Sequence, residues 1–137
     1  MKTWLVDTGP LVALLVGDDT QHAWAVEASK QAPATVLTCE AVLSEVLFLL
    51  KRESYDPNDL FALMDAGFVR CAFDLQSEQR PVRDLMRRYR AQPMALADAC
   101  LVRLAELHPD ACVWTLDRDF QHYRKNRRQT VSLVAPW

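Results

Sequence analysis

Short apolar runs recur along this chain, and a stretch with helical spacing separates each run from the next. The runs fall near residues 3–7, 35–37, 68–73, 111–115 and 131–134. They have strand length and are bounded by polar or turn-forming residues. The intervening segments near 9–16, 20–31, 40–52, 57–66, 77–90 and 95–107 carry apolar residues at helical intervals. A strand that returns through a helix re-enters its sheet parallel. The alternation therefore predicts an α/β domain, a three-layer α/β/α sandwich around a mainly parallel sheet. With 137 residues and no linker, repeat or low-complexity segment, the chain reads as a single domain over 1–137.

Local signals place the boundaries. Asp19 or Thr20 is expected to cap the second helix and Thr38 the third. Pro57 suits a first helical turn, Gly67 a helix stop, and Pro109 closes the last long helix.

Composition removes several function classes. Half of the residues are hydrophobic, a quarter are charged and the net charge is -2. There is thus no global bias toward a polyanion, although basic residues can be concentrated locally. The glycines are Gly9, Gly17 and Gly67 only, so no phosphate-cradling loop or dinucleotide fingerprint exists. Cys39, Cys71, Cys100 and Cys112 form no C-x-x-C pair, and buried free thiols in a reducing cytoplasm are expected. Asp7 interrupts the first apolar run too early for a signal peptide, and no run is long enough for a membrane span.

Five acids stand in unusual places. Asp7 ends the first apolar run, in Leu5-Val6-Asp7-Thr8-Gly9-Pro10. In open parallel sheets the carboxyl ends of the strands carry the site, and a strand-end acid points there. Asp117 and Asp119 follow the fourth run in the same way. Helix capping or turn chemistry also explains each of these three taken singly. Glu45 has Ala41, Val42, Phe48 and Leu49 as helical neighbours, so it is expected on or beside a buried face. Asp98 has Met94, Ala95, Leu101 and Val102. A lone acid on such a face needs a partner, either a distant arginine or an ion.

A doubly wound sheet would bring these acids together. Several carboxylates in one pocket cannot all ionise without compensation. All-oxygen ligands favour Mg²⁺ or Mn²⁺ over Zn²⁺, and such a site suits phosphodiester hydrolysis. Asp7, Glu45, Asp98, Asp117 and Asp119 are accordingly the candidate metal-binding and catalytic residues. The hydroxyls of Thr8 and Thr115 are placed to bond waters or the ligating carboxylates, or simply to cap strand ends.

On these residues the chain resembles the PIN-domain nucleases, most closely the VapC-type toxin ribonucleases. Leu5-Val6-Asp7-Thr8 is similar to the first-strand motif of that family, and Ser44-Glu45-Val46 to its helix glutamate. Leu96-Ala97-Asp98-Ala99 is similar to its third acid, and Thr115-Leu116-Asp117-Arg118-Asp119-Phe120 to its fourth-strand motif. The resemblance spans nearly the whole chain. It implies a PIN-like fold, Mg²⁺- or Mn²⁺-dependent endoribonuclease activity, a homodimer and a small cognate antitoxin. Pro93-Met94-Ala95 stands where such chains often open the third-acid helix with a small polar residue.

Two basic clusters bear on an RNA substrate. Arg80, Arg83, Arg87, Arg88 and Arg90 crowd one helix and read as a solvated face. Arg118, Tyr123, Arg124, Lys125, Arg127 and Arg128 follow the fourth strand and are expected to face RNA, arginine for phosphates and tyrosine for stacking. Two other readings stand beside the toxin nuclease. One is a non-catalytic module acting through a partner protein, and the other an RNA-processing nuclease outside any toxin pair.

Overall fold

The computed structural model describes residues 2–137. β1 (Trp4–Val6) is buried along its whole length, as a central strand covered on both faces must be. It leads into α1 (Thr8–Leu15), and α2 (His22–Ser29) follows a short turn. β2 (Val36–Thr38), α3 (Glu40–Arg52), α4 (Asn58–Asp65) and β3 (Val69–Cys71) build one side of the sheet. α5 (Leu75–Arg88), α6 (Leu96–Leu107) and β4 (Cys112–Trp114) cross to the other. A 3-10 turn (Arg118–Gln121), the hairpin strands β5 (Arg124–Lys125) and β6 (Gln129–Thr130), and β7 (Ser132–Val134) complete the chain.

The main sheet runs β3-β2-β1-β4-β7 with every pairing parallel. This is the three-layer α/β arrangement that the alternation predicts. The chain winds outward from β1 in one direction through β2 and β3, and in the other through β4 and β7. The crevice at the carboxyl ends of β1 and β4 is therefore the switch point, where open α/β sheets bind ligands.

Burial explains the helices. Val42, Val46 and Leu50 form one buried stripe on α3, with Glu40 in its first turn and Lys51 and Arg52 in its last, matching the helix dipole. α6 buries Ala97 through Val102, Leu104 and Ala105, as a helix packed between the sheet, α3 and α5 requires. Gly67 ends α4 at φ 80°, a left-handed conformation that glycine adopts without strain.

Two expected helix caps are not formed. Thr38 does not cap α3, because its hydroxyl donates to Val6 O at 2.8 Å across the sheet and Cys39 occupies the cap position. The second helix starts at His22 without a side-chain cap, and Asp19 instead accepts from Gln21 N in the turn before it. The β5–β6 hairpin was not legible, since its turn uses Asn126 and Arg127 at φ 48° and 70° rather than a glycine. The thiols of Cys39, Cys100 and Cys112 are free and buried, while Cys71 is only half-buried. Among the described residues no helix is long and apolar enough to cross a membrane.

The start of α1 closely approaches the segment after β4 at the crevice. A methyl group on Gly9 would meet Leu116 Cβ at 3.0 Å and Cδ1 at 3.1 Å. Leu116 must then give by a few tenths of an ångström, and this overpacking is partly offset by the helix propensity that alanine gains over glycine in α1, so Gly9→Ala should lower unfolding free energy by about 1 kcal/mol in urea titrations. Gly17→Ala, which would meet nothing within 4 Å, serves as the comparison and should change stability by less than about 0.5 kcal/mol.

Candidate metal centre

Asp7 leaves β1 and becomes the N-cap of α1. Its Oδ1 accepts from Thr8 N at 2.8 Å, and its Oδ2 accepts from the Thr115 hydroxyl at 2.7 Å. Thr115 Oγ1 in turn accepts from Asp117 N at 2.9 Å. One hydroxyl thus sets the carboxylate after β1 and the backbone after β4. Asp117 caps the 3-10 turn through Asp119 N, at 2.9 Å from Oδ1. Asp98 reaches the same place from α6. Its Oδ2 accepts from Ala95 N at 3.0 Å and from the Tyr123 hydroxyl at 3.3 Å. Asp98 therefore supplies the N-terminal cap that Pro93-Met94-Ala95 lacks.

Carboxylate oxygens of Asp7, Asp98 and Asp117 lie within 4.8 Å of one another. Asp7 and Asp98 are buried and Asp117 is half-buried. No lysine or arginine pairs with any of the three among the described residues. Burial pushes Asp7 from an ordinary 3.8 to about 7, against the lowering effect of its two hydrogen bonds. Burial likewise raises Asp98 to about 6, and Asp117 is raised too, by burial and by its neighbour Asp119. Three acids that resist ionisation so close together, with no cation from the protein, present the donor set of a hard divalent ion.

The other expected residues are placed as follows. Glu45 lines the same cavity of about 310 Å³ with Asp7, Thr8, Asp98 and Asp117, and its Oε2 accepts from the Thr8 hydroxyl at 2.8 Å. It is exposed, not buried, because the α3 face beside it is open and Phe48 is 66% exposed. Apolar spacing predicts a face, but not whether another element covers it. Asp119 is half-buried and stays outside the group of three.

The basic segment divides. Arg118 is exposed directly after Asp117. Tyr123 is fully buried, packed edge-on against Tyr89 and Phe120, so no ring face is free for a base. Its position as a donor to Asp98 was not foreseen, and its apolar neighbour Phe120 was the available signal. Arg124 is half-buried and donates to Gln121 O and Tyr123 O. Lys125 is buried with Nζ toward Pro109 O, which precedes β4 and lies away from the acids. Arg127 and Arg128 are exposed on a hairpin whose Asn126 N donates to Glu106 Oε2. Glu106 is eight residues beyond Asp98 on α6. That is about 12 Å along the helix, so nearness in sequence did not become nearness to the site.

The PIN domain family model matches residues 4–126. The fold is similar to the crystal structure of Mycobacterium tuberculosis VapC20, a sarcin-ricin loop cleaving toxin, with a TM-score of 0.78 and 22% sequence identity. The likeness covers 88% of this chain and 94% of that one. No curated protein matches the sequence.

A pH dependence follows from the burial of the acids. Asp7 and Asp98 hold their protons more tightly in the fold than in the unfolded chain. Their contribution to stability is full below about pH 4 and is lost as pH rises through the two folded values. Unfolding free energy in EDTA should thus decline from pH 5 to pH 8, and Asp7→Asn should flatten that decline. Added Mg²⁺ should stabilise more at the higher pH, because the ligands must be deprotonated to bind it.

Proposed function

The chain belongs to the PIN domain family, and on that premise we propose that it is a metal-dependent endoribonuclease and the toxin of a type II toxin–antitoxin pair. The observation that carries this reading is the meeting of Asp7, Asp98 and Asp117 from three separate elements, with no protein cation to balance them. The likeness of the fold to a toxin that cleaves the sarcin-ricin loop supports the choice of RNA and of the toxin role. We read residues 1–137 as one PIN domain, acting in the cytoplasm as a homodimer held in check by a small antitoxin. Four free cysteines suit that reducing setting.

The donor set fits Mg²⁺ or Mn²⁺, being entirely carboxylate oxygen. Asp7, Asp98, Asp117 and Glu45 would hold the ion, with Asp119 reaching its waters or a second ion. When bound, such an ion lowers the pKa of a water, orients it and stabilises the departing oxygen. The protein's own part is positional. Thr115 fixes the Asp7 carboxylate against the backbone of Asp117, and Thr8 steadies Glu45. Tyr123 and Ala95 N hold Asp98 Oδ2, and no N–H or O–H donates to its Oδ1 among the described residues. Water attacks the phosphorus, the bond to the leaving ribose oxygen breaks, and no side chain becomes covalently attached.

Purified protein should cleave single-stranded RNA with Mg²⁺ or Mn²⁺ and lose that activity in EDTA. Asp98→Asn and Asp7→Asn should each fall to the EDTA level while melting cooperatively. Full activity in both variants would overturn the site assignment, and a folded wild type silent with either metal would point to a non-catalytic binding module.

The threonine bridge makes a separate prediction. Thr115→Val removes the donor to Asp7 and should weaken Mn²⁺ binding in calorimetric titration about 10–100-fold. Thr115→Ser, which keeps the hydroxyl, should stay near wild type.

A further inference from the structure

β7 carries the last residues of the chain to the same end of the sheet as the acids. It pairs with β4 in parallel, with Val134 opposite Trp114. Three residues beyond these partners stand Trp137 and Asp117. The Arg118 guanidinium, next in sequence to Asp117, lies 4.9 Å from the centre of the Trp137 ring. Arg118 is exposed and Trp137 half-exposed. The tail between is stiffened, since Pro136 fixes its own φ and favours an extended Ala135. Residues 135–137 lie beyond the segment matched by the family model, and Arg118 lies within it.

We infer that Trp137 and Arg118 form a nucleobase-stacking subsite beside the acids. An unpaired base of the RNA lies on the face of the indole that the Arg118 guanidinium does not cover, and the guanidinium, over the other face, meets an adjoining phosphate. The inference rests on the nuclease reading above. It follows from which aromatic rings are free at this end of the sheet. Tyr123, Trp4 and Trp114 are buried. Phe48, the other exposed ring near the acids, shares its groove with Ser44, Glu45 and Leu49, where the one charge is a carboxylate and repels phosphate. Phe73, just beyond β3 and also half-exposed, lines a groove whose one charge is Glu40, whereas Trp137 pairs a half-exposed ring with a cation, the pairing that binds single strands through stacking and charge together.

The test uses a labelled single-stranded oligoribonucleotide, bound by the full chain carrying Asp98→Asn so that it is not cut. Trp137→Leu should weaken binding about tenfold without lowering the melting temperature, and Trp137→Phe should retain most of the affinity. A series of oligonucleotides, each lacking one base, then locates the contact on the unaltered tail. One missing base should cost about the same factor with Trp137 present and nothing with Trp137→Leu. In cleavage, Trp137→Leu should raise KM while kcat holds. Unchanged binding in Trp137→Leu, or a missing-base penalty equal in both proteins, would overturn the subsite while leaving the nuclease in place. Failure of the wild type to cut RNA with either metal would remove the nuclease reading, and the subsite with it.

Discussion

Removing carboxylates from water without giving them a counter-charge is the constraint on which this structure turns. Asp7 directly follows a strand that is buried throughout, and Asp98 sits on a helix with most of its residues buried. The fold tolerates them because each accepts backbone or hydroxyl hydrogen bonds, and because protonation relieves the remaining charge. Those same hydrogen bonds set the geometry. Thr115 joins the ends of β1 and β4 through a single oxygen, so the two strands cannot separate at their carboxyl ends without losing it.

Packing reinforces that junction. Gly9 and Leu116 are in contact where α1 begins and β4 ends, and a side chain at Gly9 would wedge them apart. Below, the Trp4 and Trp114 rings meet edge-on at 5.6 Å across the neighbouring strands. The indole nitrogen of Trp114 is buried without a partner among the described residues, a local cost accepted for a large apolar contact at the centre of the sheet. The packed core of the molecule thus lies directly beneath the acids, while α3 and the residues after β7 border them.

Much of this was legible in the sequence, for reasons that differ by residue. The strands and helices follow from the alternation of apolar periods, and Asp7 and Asp98 stood out because an acid inside an apolar run needs an explanation. Asp117 was readable only through its place after a strand. What periodicity does not encode is which faces meet. It left open whether Glu45 lies on a buried face or at its margin, and the margin is where it stands, beside Val42 and Val46; it set Tyr123 among RNA contacts although its ring is in the core. The arginines after β4 look like one cluster in sequence, but the hairpin turns Arg127 and Arg128 toward the far end of α6. Positive φ at Asn126 and Arg127 is a tertiary choice that their side chains do not announce.

Asp7, Asp98 and Asp117 each do a second task, since each satisfies a backbone N–H at the start of a helix or turn. Losing such a cap to alanine costs about 0.5–2 kcal/mol whatever the state of the active centre. Asparagine caps a helix about as well as aspartate and carries no charge to bury, so selection for folding alone would keep a capping side chain at these positions without keeping the acid. Glu45 and Asp119 cap nothing with their side chains and are under no such protection. At those two the side chain can change without loss of a helix start, whereas at Asp7, Asp98 and Asp117 the change open to the fold is the one from carboxylate to amide.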